Sequence, residues 1–414
     1  MEIKKALLPN IMVQSFGPAL SFLSVFLLAK YFGPEIQGKF ANFKSLVDLI
    51  TVIGVYGFPQ SFVYLMNKLE VSPKKLAFLS LYYVLGFVFF AFILLSFSVR
   101  LGYIDKSLFD NYYFEIFLLT IVCSILVLHG LWRGVYLGYD QGKMFAFFTI
   151  IPAIGIFILI SFCIYKNHFS ALDIYSYSAI PILIIICILM YPIKKADYSH
   201  KITRIPWHSL FNHGTHAFSQ SLILSIQPII AYWIIKSFIG GNKEIGFFNL
   251  GLFLVQGLAV PISMIAPLLF ARWTKSNNYL IILKFNKLRG KLILLDVVFG
   301  FVLAFAIQFI INLFFSEEYK SAILLSQVLL FTVPLMLHRT IISPAIHAFG
   351  YPSINTVACG IRIIAFLLSV VLLFALTGKS LFNLALSWSI GEIFAALYAF
   401  FNLYKLSKIA NQNI

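Results

Sequence analysis

Charge is what this sequence has least of. Only 11% of its 414 residues are Asp, Glu, Lys or Arg, against about 25% in an ordinary soluble domain. The rest is 61% hydrophobic, with 45 Phe and 21 Tyr, and the mean hydropathy is +0.93. Too little polar material remains to cover a water-facing surface, so a soluble fold is excluded and lipid must be the solvent. Acidic residues are scarcer still, 15 against 31 Lys and Arg, for a net charge of +16. In a soluble protein that balance would point to nucleic acid. Here nucleic acid is not expected, and the useful question is which membrane face holds the cations.

Other absences narrow the function. The four cysteines, Cys123, Cys163, Cys187 and Cys359, stand apart in apolar runs and form no ligand pair or disulfide framework, so they read as packing residues. No Asp-x-Asp metal motif occurs. Thr377-Gly378-Lys379-Ser380 imitates the end of a phosphate-binding loop, but residue 373 is Leu where that loop needs Gly. The longest outer link, Arg100 to Tyr112, is 13 residues, too short for a soluble domain or the long outer loop of a polysaccharide polymerase. The expectation is a non-enzymatic protein without a cofactor.

What is present is a series of apolar runs of the length needed to cross about 30 Å of hydrocarbon. They fall at 7–29, 41–65, 76–99, 113–132, 144–165, 172–192, 209–236, 246–271, 291–315, 321–346, 354–376 and 381–404. Helices are predicted because backbone groups in lipid must pair internally, and a barrel would show shorter alternating segments. The first run, after the basic start Met1-Glu2-Ile3-Lys4-Lys5, exceeds a signal peptide's apolar region and ends at Lys30-Tyr31-Phe32-Gly33-Pro34, a poor cleavage site. It is read as a retained span. With the N-terminus inside, nineteen Lys/Arg fall in inner segments and nine in outer ones, which places both termini in the cytoplasm by the positive-inside rule.

The fold class is therefore all-α and polytopic, with 12 transmembrane helices in two six-helix bundles: 1–195, a cytoplasmic linker 196–208, and 209–414. An internal repeat supports the division. Gln14-Ser15 returns as Gln220-Ser221 and Lys30 as Lys236, both at an offset of 206. Gly38 and Phe40 match Gly246 and Phe248 at 208, as do Pro59 and Phe62 with Pro267 and Phe270. Gly138-Tyr139 matches Gly350-Tyr351 at 212. The offset drifts in order, as small loop insertions would make it do. Parallel repeats of this kind are a transporter architecture, with the substrate site expected between the halves.

Polar residues inside spans are the candidates for work. His208, Asn212, His216 and Gln220 recur every four residues on span 7, and Asn10, Gln14, Ser21 and Ser24 make a comparable stripe on span 1. These stripes suit a hydrated cavity that binds sugar hydroxyls, or else hydrogen bonding between helices. A metal site at His213-x-x-His216 lacks any nearby carboxylate or Cys. Lys44 and Asp48 on span 2 are four apart and either neutralise each other or leave Asp48 as an ion-coupling carboxylate. Arg362 and Glu392 lie at matching depths on spans 11 and 12 and are expected to form a structural ion pair. Arg339 on span 10 has no evident acidic partner in the sequence, Asp296 being nearer the cytoplasmic end of span 9, and its planar fork of donors suits a diphosphate. Arg133 and Arg272 stand at the inner mouths of spans 4 and 8, either to receive an anionic headgroup or as ordinary positive-inside anchors.

The run Leu28-Ala29-Lys30-Tyr31-Phe32-Gly33-Pro34-Glu35-Ile36-Gln37-Gly38-Lys39-Phe40 resembles the first outer loop of bacterial Wzx-type polysaccharide (O-antigen) flippases. These belong to the multidrug/oligosaccharidyl-lipid/polysaccharide (MOP) exporter superfamily. Glu244-Ile245-Gly246-Phe247-Phe248, Pro261 through Pro267, Ser316-Glu317-Glu318-Tyr319-Lys320-Ser321-Ala322 and His347-Ala348-Phe349-Gly350-Tyr351-Pro352 agree with it. The resemblance covers the whole chain through motifs that mark fold. It implies a MATE-like pair of bundles around a cationic cavity that opens alternately to the two sides. It also implies an undecaprenyl-diphosphate-linked oligosaccharide as cargo, moved from the cytoplasmic to the periplasmic leaflet of the inner membrane. Further implications are a coupling ion, proton or sodium, and polymerase and chain-length partners in lipopolysaccharide synthesis. A multidrug or cation antiporter of the same superfamily is the alternative, and would call for acidic residues in the cavity. A membrane-embedded polymerase or glycosyltransferase is the alternative from another class.

Overall fold

The computed structural model describes residues 2–100, 112–140, 143–195, 205–276, 280–348 and 350–412, and every regular element among them is helical. In chain order these are α1 (Glu2–Val55), α2 (Phe58–Leu69), α3 (Pro73–Arg100), α4 (Tyr112–Asp140), α5 (Lys143–Lys166), α6 (Ala171–Lys195) and α7 (Trp207–Phe238). There follow α8 (Asn242–Ser276), α9 (Leu280–Phe314), a 3-10 turn (Glu317–Ser321), α10 (Ala322–Leu330), α11 (Val333–Ala348), α12 (Pro352–Thr377) and α13 (Leu381–Gln412). Eight described helices are long and apolar enough to cross a membrane. The chain is a multi-pass membrane protein.

The helices depart from the expected spans at four places, each with a local cause. The outer loop predicted between spans 1 and 2 is compressed to one residue, because Gly33 (φ 76°, ψ −179°) breaks α1 and Pro34 restarts it. Span 2 is interrupted where Tyr56 and Gly57 both take positive φ, just before Pro59 in the first turn of α2. Span 10 breaks between α10 and α11 at Phe331 and Thr332, ahead of Pro334, whose ring has no N–H to continue the ladder. The basic link expected at 272–290 is also mostly helix, since α8 runs to Ser276 and α9 starts at Leu280. Its Lys, Leu and Arg residues are good helix formers and nothing in them breaks the ladder.

Membrane helices must pair their backbone polar groups internally, and several polar side chains pair onto that backbone. Ser45, Ser80, Thr120 and Ser124 each turn their hydroxyl back onto the carbonyl four residues earlier. Pro152 inside α5 supplies no N–H, leaving the Phe148 carbonyl without its helical donor. His129 of α4, 6% exposed, fills the gap with Nε2 2.7 Å from Phe148 O. A carbonyl only accepts, so Nε2 carries the proton.

The described helices gather into two compact units: Met1–Ser24 with Leu46–Phe218, and Val25–Ser45 with Ser219–Ile414. The division does not follow the chain midpoint, because 25–45 groups with the later half and the start of α7 with the earlier half. In the first unit α4 is central and touches α2, α3, α5 and α6. Its glycines permit backbone contact: a Cβ on Gly134 would lie 2.4 Å from Pro59 Cα, and one on Gly138 would lie 2.2 Å from the Met66 thioether methyl. The start of α7 docks on α2 through Ser61 Oγ donating to Leu210 O at 2.8 Å and Tyr64 stacked on His213 at 3.8 Å.

In the second unit α13 contacts α9, α10, α11 and α12, while α8 packs on α10 and α11. Segment 25–45 clasps this unit at a glycine crossing. A Cβ on Gly38 would lie 1.8 Å from Asn242 O, and one on Gly246 would lie 2.0 Å from Pro34 O. Gly38 and Gly246 are repeat partners at offset 208, and so are Pro34 and Asn242. The contact is therefore reciprocal, each glycine meeting a carbonyl on the other's segment. Beside it the buried Tyr319 phenol donates to Gln37 Oε1 at 2.5 Å. Burial, and secondarily the nearby Glu318 charge, push this phenol's pKa up, so it remains a protonated donor across physiological pH.

Candidate functional site

Among the described residues, the strongest concentration of buried charge lies in the second unit, where α11, α12 and α13 converge. Arg362 stands about 15 Å along α12 from its start at 1.5 Å per residue. The helices meet closely here, since a Cβ on Gly391 would lie 2.6 Å from Arg362 O. The neighbouring Glu392 carboxylate, 2% exposed, reaches Arg362 Nη2 through Oε1 at 2.6 Å. Its other oxygen, Oε2, lies 3.2 Å from Arg339 Nη2 on α11. Arg362 is 8% exposed, and its guanidinium carbon sits 5.1 Å from the centre of the Trp388 ring. That ring is held edge-to-face by Phe248 and Phe366, at 5.8 and 5.7 Å.

Two guanidiniums against one carboxylate leave this cluster with a net charge of +1. The sequence reading that left Arg339 without an acidic partner is thus corrected: Glu392 serves both arginines. The reason it was hidden is geometric. The break at Phe331–Thr332 resets the register of α11, so depth counted along one continuous span misplaces Arg339. Neither arginine is fully satisfied, as Arg339 Nη1 and Arg362 Nε are buried with no hydrogen-bond partner. Trp388, which cradles Arg362, was not singled out from the sequence; its place one turn before Glu392 was the available signal.

The other candidates are dispersed. On α7, His208 and Asn212 are exposed, while His216 and Gln220 are half-buried. Gln220 Oε1 accepts from His347 Nε2 at 3.0 Å, a link between α7 and the end of α11 inside the second unit. His213 faces away from this stripe, with Nδ1 donating to Ser209 O at 3.1 Å. Arg133 is half-buried on α4, one turn from His129, and is not free of partners. The side chains of Gln14, Asn10, Arg272 and Asp296 lie outside the described ones. A cleft of about 420 Å³ opens at the α5–α6 turn, lined by Phe162, Lys166, His168, Asp173 and Tyr177 among others. None of the sequence candidates reaches it.

Lys44 and Asp48 are both exposed on α1, and each has an interaction partner. Asp48 lies close enough to Cys123 on α4 and Tyr175 on α6 for its charge to act on both. If Asp48 carries the coupling charge, Asp48→Asn leaves cargo binding nearly intact and changes the pH or ion dependence of transport. A purely neutralising pair predicts a destabilised Asp48→Asn protein and recovery in Lys44→Gln/Asp48→Asn. Transport assayed across pH in both variants separates the two.

No known family's sequence profile matches the chain, and no curated protein matches it either. Solved structures do. An outward-facing multidrug resistance MATE family transporter of the MOP superfamily superposes with a TM-score of 0.73 at 14% identity, covering 99% of this chain and 97% of that one. A MOP superfamily transporter from Pyrococcus furiosus, described as having a binding pocket of reverse polarity that suggests a different function, gives 0.76 at 14%, covering 99% and 96%. The Vibrio cholerae MATE transporter VcmN in its bent form gives 0.72 at 13%, covering 99% and 98%. Agreement over nearly the whole length of both chains establishes the architecture: this protein has the twelve-helix fold of the MATE transporters of the MOP superfamily.

Proposed function

We propose that the protein is a secondary transporter that works by alternating access and carries an amphipathic cargo with an anionic headgroup. The narrowest form of this reading is a flippase for a lipid-diphosphate-linked oligosaccharide, moving it from the cytoplasmic to the periplasmic leaflet. The observation that carries it is the net-positive Arg339–Glu392–Arg362 cluster deep in the second unit. Ionisable groups at membrane depth are costly and mark substrate or ion pathways. A buried excess of guanidinium favours phosphate oxyanions, which it binds bidentately. The sequence resemblance to polysaccharide flippases points the same way.

Multidrug or cation export is the second reading, and the fold comparison by itself sits nearer to it, since similar solved transporters carry that description. The distinction is one of charge. A cation exporter needs an available carboxylate, and in this cluster Glu392 is already shared by two arginines. The Pyrococcus furiosus structure is described as a case in which pocket polarity reverses within this fold.

Deletion of the gene is expected to abolish surface polysaccharide while lipid-linked precursor persists at the inner leaflet, with drug susceptibility unchanged. Normal surface polysaccharide in a strain lacking any redundant flippase, together with drug hypersensitivity, would reverse the choice. The proposed location is the inner membrane with both termini cytoplasmic. Reporter fusions after residue 200 and at the C-terminus should both read cytoplasm, and a periplasmic signal from either defeats that topology. Transport energy would come from a proton or sodium gradient or from consumption of the product, and polymerase and chain-length proteins are the expected downstream partners.

A further inference from the structure

We infer that Glu392 is a built-in stand-in for the cargo's anion: it occupies Arg339 in the empty carrier and yields Arg339 to an incoming diphosphate oxygen while remaining bound to Arg362. This deepens the proposed function and rests on the anionic-cargo reading. The two arms of the cluster are unequal. Arg362 is held at 2.6 Å, stacked on Trp388 and brought against α13 at the Gly391 contact. Arg339 is held at 3.2 Å and is 13% exposed, and like Arg362 it keeps one buried nitrogen without a partner. Each carboxylate oxygen serves a different arginine, so releasing Arg339 costs Glu392 one contact and leaves a neutral Arg362–Glu392 pair behind. The whole excess charge then resides on Arg339, whose planar fork fits a phosphate better than a monodentate carboxylate contact does.

The helix that carries Arg339 is short and interrupted at both ends. The sixteen-residue α11 is bounded by the break at Phe331 and Thr332 and by Gly350 at φ 88°, and it contains Pro344. Besides the Arg339 ion pair, Asn355 Nδ2 donating to Ser343 O at 3.1 Å ties it to α12 and His347 ties its end to Gln220 on α7, while Ile342, Ala345 and Ile346 pack with Leu403 and Leu406 of α13. An anion that takes Arg339 therefore removes a tether between α11 and α13. Cargo binding and loosening of the Arg339 end of α11 become one event, which lets a ligand bias one conformation over another.

A simple structural ion cluster and a stand-in respond oppositely to loss of the Glu392 charge. Glu392→Gln removes the competitor, so the full-length purified protein should bind inorganic pyrophosphate more tightly than wild type at matched ionic strength. The gain should be on the order of tenfold, the equivalent of one charge-assisted contact. Glu392→Asp is a second route, since the shorter carboxylate can keep Arg362 but not span to Arg339, and it should also tighten binding. Arg339→Ala/Glu392→Gln should lose the gain. Farnesyl diphosphate as a second probe separates the sources: tighter binding than pyrophosphate marks a lipid-linked diphosphate, and equal binding overturns the lipid-linked part. Unchanged or weaker pyrophosphate binding in the folded Glu392 variants, or a gain that survives loss of Arg339, overturns the stand-in. Tightened binding in a protein that moves no lipid-linked saccharide would keep the stand-in and sink the flippase reading instead.

Discussion

Arg339→Ala is expected to abolish translocation while the protein still inserts and reaches normal levels. Arg339 is the weaker-held arm of the buried cluster, with a donor left over. Its loss leaves the Arg362–Glu392 pair neutral, with no buried charge uncompensated, so insertion and membrane level should hold. The cargo, by contrast, loses a charged hydrogen bond of about 1.5–3 kcal/mol, roughly a 10- to 150-fold drop in affinity. Arg339→Lys should keep part of the transport, because the charge survives without the bidentate fork. Complementation of a deletion strain by the two variants, with membrane levels measured in parallel, checks this. Wild-type transport by Arg339→Ala removes the residue from the cargo's path.

The second large effect is expected at the glycine crossing. Either Gly38→Ala or Gly246→Ala places a methyl group against a backbone carbonyl that cannot turn aside, at 1.8 and 2.0 Å respectively. Overpacking of this kind costs about 1–3 kcal/mol, and thermal melting of the detergent-purified protein should show it for each. Both changes push the same pair of segments apart, so the double variant should lose clearly less than the sum. Additive losses would mean the two glycines do not share one contact.

These two sites were not equally legible in the sequence. Gly38 and Gly246 emerged as repeat partners, because a repeat keeps the residues its packing requires, although their mutual contact is a matter of tertiary structure. Arg362 and Glu392 could be placed at matching depth by counting along α12 and α13, which run unbroken through that level. Arg339 could not, because two short helices stand where one span was expected. Gly33-Pro34 lies in the gap between the first two apolar runs and so reads as a loop, yet one positive-φ residue completes the turn. The 272–290 stretch read as a loop from its charge, whereas Lys and Arg there continue the ladder. His129 was invisible because the carbonyl it caps is freed by Pro152 on another helix.

The central claim is that this MATE-type fold carries an anionic-headgroup amphiphile. Its most direct test is translocation of a fluorescent polyprenyl-diphosphate saccharide in proteoliposomes containing the purified protein, with an ion gradient imposed. Gradient-dependent movement between leaflets, lost in Arg339→Ala and competed by farnesyl diphosphate but not by a cationic dye, is the predicted result. No movement of the diphosphate, with gradient-driven uptake of the cationic dye in the same vesicles, would contradict it.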